Sequence, residues 1–217
     1  MADEQPPPTR YAMMLFTGFQ ALDVFGPLDV LNMLNRNHTL ELSLVSITDT
    51  PVSTRPPSRS TGIEQHIVPT HTLQTAPNDI EVLIVPGGGG TRDVVGTGPI
   101  VKFIQHVFPK LRFLLTVCTG AALAARAGVL DGRRATTNKL ALSWARELRV
   151  DVDWVSQARW VQDGNVWTSS GISAGIDMMY AFVAAQFGDD VAAKIAHDSE
   201  YERNMDANHD PFAKPEV

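Results

Sequence analysis

Arg112-Phe-Leu-Leu-Thr-Val-Cys118-Thr119-Gly120-Ala-Ala-Leu-Ala decides how this chain is read. An apolar, β-prone run enters the cysteine, and a glycine followed by small helix formers leaves it. The pattern predicts a strand, a sharp turn and a helix, with the thiol at the turn, projecting from the carboxyl edge of a sheet. The first amides of such a helix point near the sulfur, and their partial positive charge favours thiolate. Two readings stand at this point: a nucleophile at an elbow, or a buried structural cysteine, since free Cys is among the most buried residue types. Cys118 is the only cysteine in 217 residues. No internal disulfide can form, which fits a reducing compartment.

Outward from this stretch, strands are predicted at 11–16, 40–47 and 80–85, besides 112–117. Helices are predicted over 25–34, 100–107 and 138–148, the last with Leu140, Trp144 and Leu148 on one face. A helix over 173–187 is expected to be capped by Ser173 and stopped at Gly188, with a final helix from Asp189-Asp190 to about Asn204. Residues 50–60 read as a loop or a hairpin connection, 61–68 as a short strand beside it, and 152–168 as two or three strands with a turn at Asp163-Gly164-Asn165. Strands alternating with helices give an α/β fold, a mainly parallel central sheet flanked by helices on both faces. Residues 1–9 read as an unstructured lead and 10–217 as one domain without internal repeats.

Hydrophobic residues make up 44% and charged residues 19%, the balance of an ordinary globule. A net charge of −6 gives no footprint for nucleic acid. The most apolar run, 113–125, is flanked by Arg112 and Arg126 and is too short to span a membrane. The proline-rich, acidic start lacks the basic and apolar regions of a secretory signal, so a cytoplasmic protein is expected. Histidines 38, 66, 71, 106, 197 and 209 form no metal-ligand spacing, so no metal site is expected.

Ligands of open α/β sheets bind outside the carboxyl ends of the strands. Three segments end there with unusual residues: Asp23, the glycine run 87–90, and Cys118. The glycine run lacks the Lys-Ser/Thr of a phosphate loop. It suits close backbone approach with amides aimed at developing negative charge, or simply a tight turn. Asp23 lies among apolar neighbours and is either an acid–base group with a raised pKa or a helix cap. The Thr119 hydroxyl either holds substrate or water, or caps the helix. Asp177 is expected to make buried structural hydrogen bonds. The pocket's size is expected to depend on Phe25, Trp144, Trp160 and residues 206–212.

Five ordered motifs add a resemblance: Leu22-Asp23-Val-Phe-Gly26-Pro27-Leu-Asp29-Val, Val85-Pro86-Gly87-Gly88, Val117-Cys118-Thr119-Gly120, Ala127-Gly128-Val-Leu-Asp131-Gly132-Arg133-Arg134-Ala135-Thr136-Thr137, and Gly171-Ile172-Ser173-Ala174-Gly175-Ile176-Asp177. Across about residues 11–212 the chain resembles the ThiJ/PfpI superfamily, and within it the isonitrile (isocyanide) hydratases. The resemblance implies a flavodoxin-like, class I glutamine amidotransferase-like fold with a nucleophile-elbow cysteine. It implies Cys118 as nucleophile, Asp23 as its carboxylate partner, Thr119 as a catalytic or positioning hydroxyl, and Gly88 and Gly89 at the backbone oxyanion site. It also implies a homodimer with sites near the subunit interface and no cofactor. Two positions depart from the pattern. Many members carry His directly after the cysteine, where this chain has Thr119, and many read Ala-Thr-Thr-His where this chain has Asn138.

The function expected from this resemblance is hydration of an isocyanide to an N-formamide, with Cys118 adding to the isocyanide carbon, Asp23 moving the proton, and water releasing the thiol. A glyoxalase-type or secondary-metabolite lyase would use the same thiol and acid. A non-enzymatic redox-sensing or chaperone role would instead oxidise Cys118. Regulators of this fold append a helix-turn-helix domain; the chain ends at Val217 and is acidic, so regulation is not expected.

Overall fold

The computed structural model describes residues 5–213. Seven strands form one sheet in the order Trp160–Asp163, Val166–Ser169, Phe113–Thr116, Val82–Val85, Arg10–Met14, Glu41–Ser46, His71–Thr72. Every neighbouring pair is parallel except the edge hairpin Trp160–Asp163/Val166–Ser169. At its centre Val82, Leu83, Ile84 and Val85 are all fully buried. A strand buried on both sides shows no polar alternation, because helices cover both faces. Helices Ala21–Leu34, Ala174–Phe187 and Asp189–Asp198 pack on one another, and Gly98–Val107, Gly120–Arg126 and Leu142–Leu148 form a second group.

The register aligns three neighbouring strand ends. Met13 lies beside Ile84, and Val85 beside Thr116. The chain therefore leaves one edge of the sheet at three adjacent points, toward Asp23, toward the glycine run, and at Cys118. No helix among the described residues is long and apolar enough to cross a membrane.

Several local expectations change. The first helix starts at Ala21 rather than residue 25, and Pro27 sits inside it rather than in its first turn. Ser173 occupies the cap position of the helix Ala174–Phe187 but makes no capping hydrogen bond; its hydroxyl instead accepts from Arg159 Nη2 at 3.5 Å. Gly188 ends that helix at φ +100°, as expected. The final helix stops at Asp198, not near Asn204. There the Ser199 hydroxyl donates to the carbonyl oxygens of Ile195 and Ala196, and Tyr201 and Asn204 turn inward to Asp177. Leu140 does not join a buried helix face; it is 93% exposed. The Asn138 side chain accepts from Leu140 N at 2.9 Å and sets up a 3₁₀ turn over Lys139–Ala141, which points Leu140 outward and buries Ala141 instead. Of the strand expected over 61–68, only His66–Ile67 forms, paired with Val52–Ser53. The segment between them is an arm over the surface.

Residues 1–4 of the expected unstructured lead, and 214–217 of the expected domain, lie outside the described residues. From Pro6 onward the lead is tied down. Arg112 Nη2 donates to Pro6 O at 2.8 Å, Pro8 is buried, and the amides of Thr9 and Arg10 donate to Glu81 Oε2 at 2.9 and 3.0 Å. Burial opposes charge on Glu81, but these amides and the Arg112 guanidinium overcome it and hold its pKa at about 2.

Candidate active site

Cys118 sits between the strand Phe113–Thr116 and the helix Gly120–Arg126, with φ +55°. A non-glycine residue in the left-handed region is held there only by its surroundings. Its N–H donates to Ser170 O at 3.1 Å, and its carbonyl accepts the Thr137 hydroxyl at 2.8 Å. Both flanking peptides are thus pinned, and the thiol is aimed rather than merely buried.

Asp23, in the first turn of its helix, is completely buried. It does not cap that helix: Gln20 holds the cap position. Its Oδ2 accepts Gly87 N–H at 2.9 Å. Its Oδ1 has no hydrogen-bond partner among the described residues; the neighbouring Cys118 thiol acts on the carboxyl by lowering its pKa. Burial lifts the Asp23 pKa to about 7, against the pull of the Gly87 amide and the thiol.

The thiol departs from the expectation of a stabilised thiolate. The amides of Thr119 and Ile172 and the Asn138 side chain do act in that direction. Burial and the Asp23 charge outweigh them and push Cys118 up to about 11. The two groups are ordered by this: the Asp23 carboxyl ionises well before the Cys118 thiol. At neutral pH the proton therefore rests on sulfur, and moving it to Asp23 must be coupled to bond formation.

The glycine turn joins the two side chains. A Cβ on Gly87 would stand 2.5 Å from Thr119 N and 2.9 Å from Asp23 Oδ2, so only glycine lets the turn approach both. Gly88, at φ +133°, donates its N–H to Thr119 Oγ1 at 2.9 Å. Thr119 therefore does not cap its helix, and the Gly88 amide is occupied. A substrate atom reaching it takes the place of the hydroxyl. Gly89 is exposed and faces a neighbouring groove.

Three contributors carried no signal as single residues. Gly87 was one of four equivalent glycines. Ile172, at φ +43°, brings its N–H to the sulfur, a conformation no composition announces. Asn138, noted only for what it replaces, reaches the sulfur with its side chain. Asp177 supports this layer as expected: Oδ2 accepts Arg159 Nε at 2.7 Å, and Oδ1 accepts Tyr201 OH at 2.9 Å and Asn204 N at 3.0 Å. Phe25 lines a separate small hollow with Leu22 and Tyr180. Trp160 is buried, and Trp144 lies under the Arg92 guanidinium. The segment 206–212 covers residues 157–159, where Ala207 O accepts Arg159 N at 2.7 Å. Among the described residues no group of three or more His, Cys, Asp or Glu is placed to hold a metal.

Comparison with known proteins matches residues 9–185 to the DJ-1/PfpI family. An isonitrile hydratase of Pseudomonas putida is 33% identical over 196 residues, covering 88% of this chain and 78% of that protein. The HTH-type transcriptional regulator GbdR of Pseudomonas aeruginosa is 30% identical over 90% of this chain, which spans only 52% of the regulator. Among solved structures, a ThiJ/PfpI family protein from Pseudomonas syringae superposes with a TM-score of 0.77 at 25% identity, covering 100% of this chain and 86% of that one.

Proposed function

The chain belongs to the DJ-1/PfpI family, and on that footing we propose that it is a cofactor-independent lyase adding water to an isocyanide to give an N-formamide. The observation that carries this reading is the elbow geometry: Cys118 is held at φ +55°, and the fully buried Asp23 accepts Gly87 N–H at 2.9 Å from the same turn whose Gly88 N–H bonds Thr119. Sequence similarity to an isonitrile hydratase supports it. Thiol addition to R–N≡C needs one proton removed from sulfur and delivered to carbon, with no leaving group. Asp23 takes the Cys118 proton as the S–C bond forms and passes it to the carbon, giving the thioimidate R–N=CH–S. Water then adds to this carbon, one of its protons ends on nitrogen, and the C–S bond breaks. Asp23 returns the other proton to sulfur. The groups acting on the thiol are Asp23, two backbone amides and Asn138. This set lacks the imidazole of a Cys–His hydrolase and favours addition chemistry.

Thr119 and the Gly88 amide that its hydroxyl now occupies are assigned to hold the substrate nitrogen and the attacking water, whereas Gly89, expected at the same oxyanion site, faces the neighbouring groove. The site is cytoplasmic and homodimeric in this proposal. Leu22 and Phe25, on the helix that carries Asp23, are 41% and 48% exposed and offer apolar surface to a second copy.

The test is a panel of isocyanides beside methylglyoxal, with formamide and lactate followed for wild type and Cys118→Ala. Formamide formed only by wild type supports the proposal, with kcat/KM rising through about pH 7 as Asp23 ionises. Lactate without formamide moves the chemistry to the glyoxalase reading. A redox-sensing role is disfavoured by a thiol pKa of about 11, because oxidation proceeds through thiolate.

A further inference from the structure

Beside the elbow lies a groove of about 920 Å³ between the 54–65 arm and the glycine turn. Its lining includes Gln20 and Gly89, together with Arg55, Arg59, Arg92 and Asp93. Cys118 is not in the lining. The glycine turn is shared: Gly89 faces the groove, while Gly87 and Gly88 bond to Asp23 and Thr119.

The charge of this groove runs against that of the chain. The protein carries −6, yet three arginines and one aspartate meet here. Asp93 accepts Gly96 N–H at 2.9 Å, and its field also falls on Arg126. Arg55 is paired with Glu64 at 3.2 Å. Arg59 and Arg92 form no ion pair among the described residues. Arg92 is held in place all the same: its guanidinium lies 4.2 Å from the centroid of the Trp144 ring. Stacking uses the face of the guanidinium and leaves its edge N–H donors free for a planar, two-oxygen acceptor. Pro56 and Pro57 stiffen the arm that carries Arg55 and Arg59.

We propose that this groove is a subsite for a carboxylate carried by the substrate at the end remote from the reacting carbon, with Arg92 and Arg59 as its receptors. The identity of the reacting group rests on the hydration reading above; the subsite itself does not.

Binding is measured calorimetrically with Cys118→Ala protein, which removes turnover. The probes are 3-isocyanopropanoate and its neutral N-methyl amide. The acid is expected to bind roughly tenfold tighter, the scale of a charge-assisted pair, with the advantage shrinking between 50 and 500 mM salt, as roughly expected for charges at an open surface. Adding Arg59→Ala and Arg92→Ala removes the advantage, whereas Lys102→Ala on an exposed helix face keeps it. In the otherwise wild-type enzyme the double variant raises KM for the acid, spares KM for the amide and leaves kcat for both. Equal affinity for the two probes, or an advantage that survives loss of both arginines, overturns the subsite. If wild type hydrates neither probe while the acid still binds preferentially, the hydration reading fails and the subsite stands. If both are hydrated with equal KM, the reverse holds.

Discussion

Asp23→Asn removes a carboxyl that folding holds against its natural charge. In the unfolded chain this group ionises near 3.8; in the fold it ionises near 7. Between those values the folded protein keeps a proton that the unfolded chain has lost, so stability falls as pH rises through the window. Below 3.8 both states are protonated and no penalty exists; above 7 the penalty is complete. The full displacement is worth roughly 4 kcal/mol. Asparagine retains an oxygen to accept Gly87 N–H, which Asp23 now does at 2.9 Å. Its NH₂ group must be buried beside a sulfur, a weak acceptor, and this takes back part of the gain. The expected net gain at pH 8 is about 2 kcal/mol, or about 4–8 °C in Tm for a chain of this size, shrinking as pH falls and reversing to a net loss of about 2 kcal/mol near pH 4, where the carboxylate penalty is nearly gone and the cost of the buried amide remains. Activity is expected to move the other way, by about 10²-fold or more, if Asp23 is the proton carrier of the proposed reaction. Urea unfolding followed by circular dichroism at pH 4, 6 and 8, beside turnover at pH 8, measures both. An Asn variant with the wild-type pH dependence of stability would refute the buried, uncompensated carboxyl. Cys118→Ala is a companion case: it removes a hydrogen bond that lowers the Asp23 pKa, so the stability loss with rising pH extends to higher pH.

Gly87→Ala should lower stability by about 1–3 kcal/mol and abolish measurable turnover, because its Cβ meets Thr119 N and Asp23 Oδ2; thermal melts and activity on the same sample check both. Glu81→Gln tests the tie between the chain start and the sheet. The wild-type carboxyl, depressed from 4.5 to about 2, contributes above pH 4.5 and loses its contribution as pH falls toward 2. The variant is expected to be less stable by about 2 kcal/mol at pH 7, converging with wild type near pH 2 in acid-unfolding curves. Asp177→Asn strands the Arg159 guanidinium, whose side chain is 10% exposed, and should cost about 3 kcal/mol. By loosening the loop that delivers Ile172 N–H it should also move the Cys118 pKa further up, read from the pH profile of alkylation by iodoacetamide.

The architecture was legible because its signals are local and redundant. Val82–Val85 is an uninterrupted apolar run ending in Pro-Gly, and Val117-Cys118-Thr119-Gly120 is a strand-to-helix turn; both form where their residues predict. Errors fell where a tertiary partner overrode local preference. At Leu140 the cause is local instead: the side chain of Asn138, two residues earlier, accepts Leu140 N–H and caps a 3₁₀ turn. Nothing after Asp198 reveals that Tyr201 and Asn204 are claimed by Asp177, far back in the chain. Within the site, the residues that meet were readable, since Asp23, the glycine run and Cys118 each follow the carboxyl end of a strand. Their protonation was not. Helix amides favour thiolate, and the sequence carries that term openly; burial and a facing carboxylate oppose it, and both exist only after folding. In the proposed reaction the thiol therefore surrenders its proton during attack, rather than standing as thiolate.

The most direct test of that claim is intact-mass spectrometry of enzyme quenched in acid during turnover of an isocyanide. Addition without a leaving group predicts a transient species heavier by the whole mass of the isocyanide, localised to Cys118 by peptide mapping and absent from Cys118→Ala. Turnover that persists in Cys118→Ala, or an adduct lacking part of the substrate, would contradict the account.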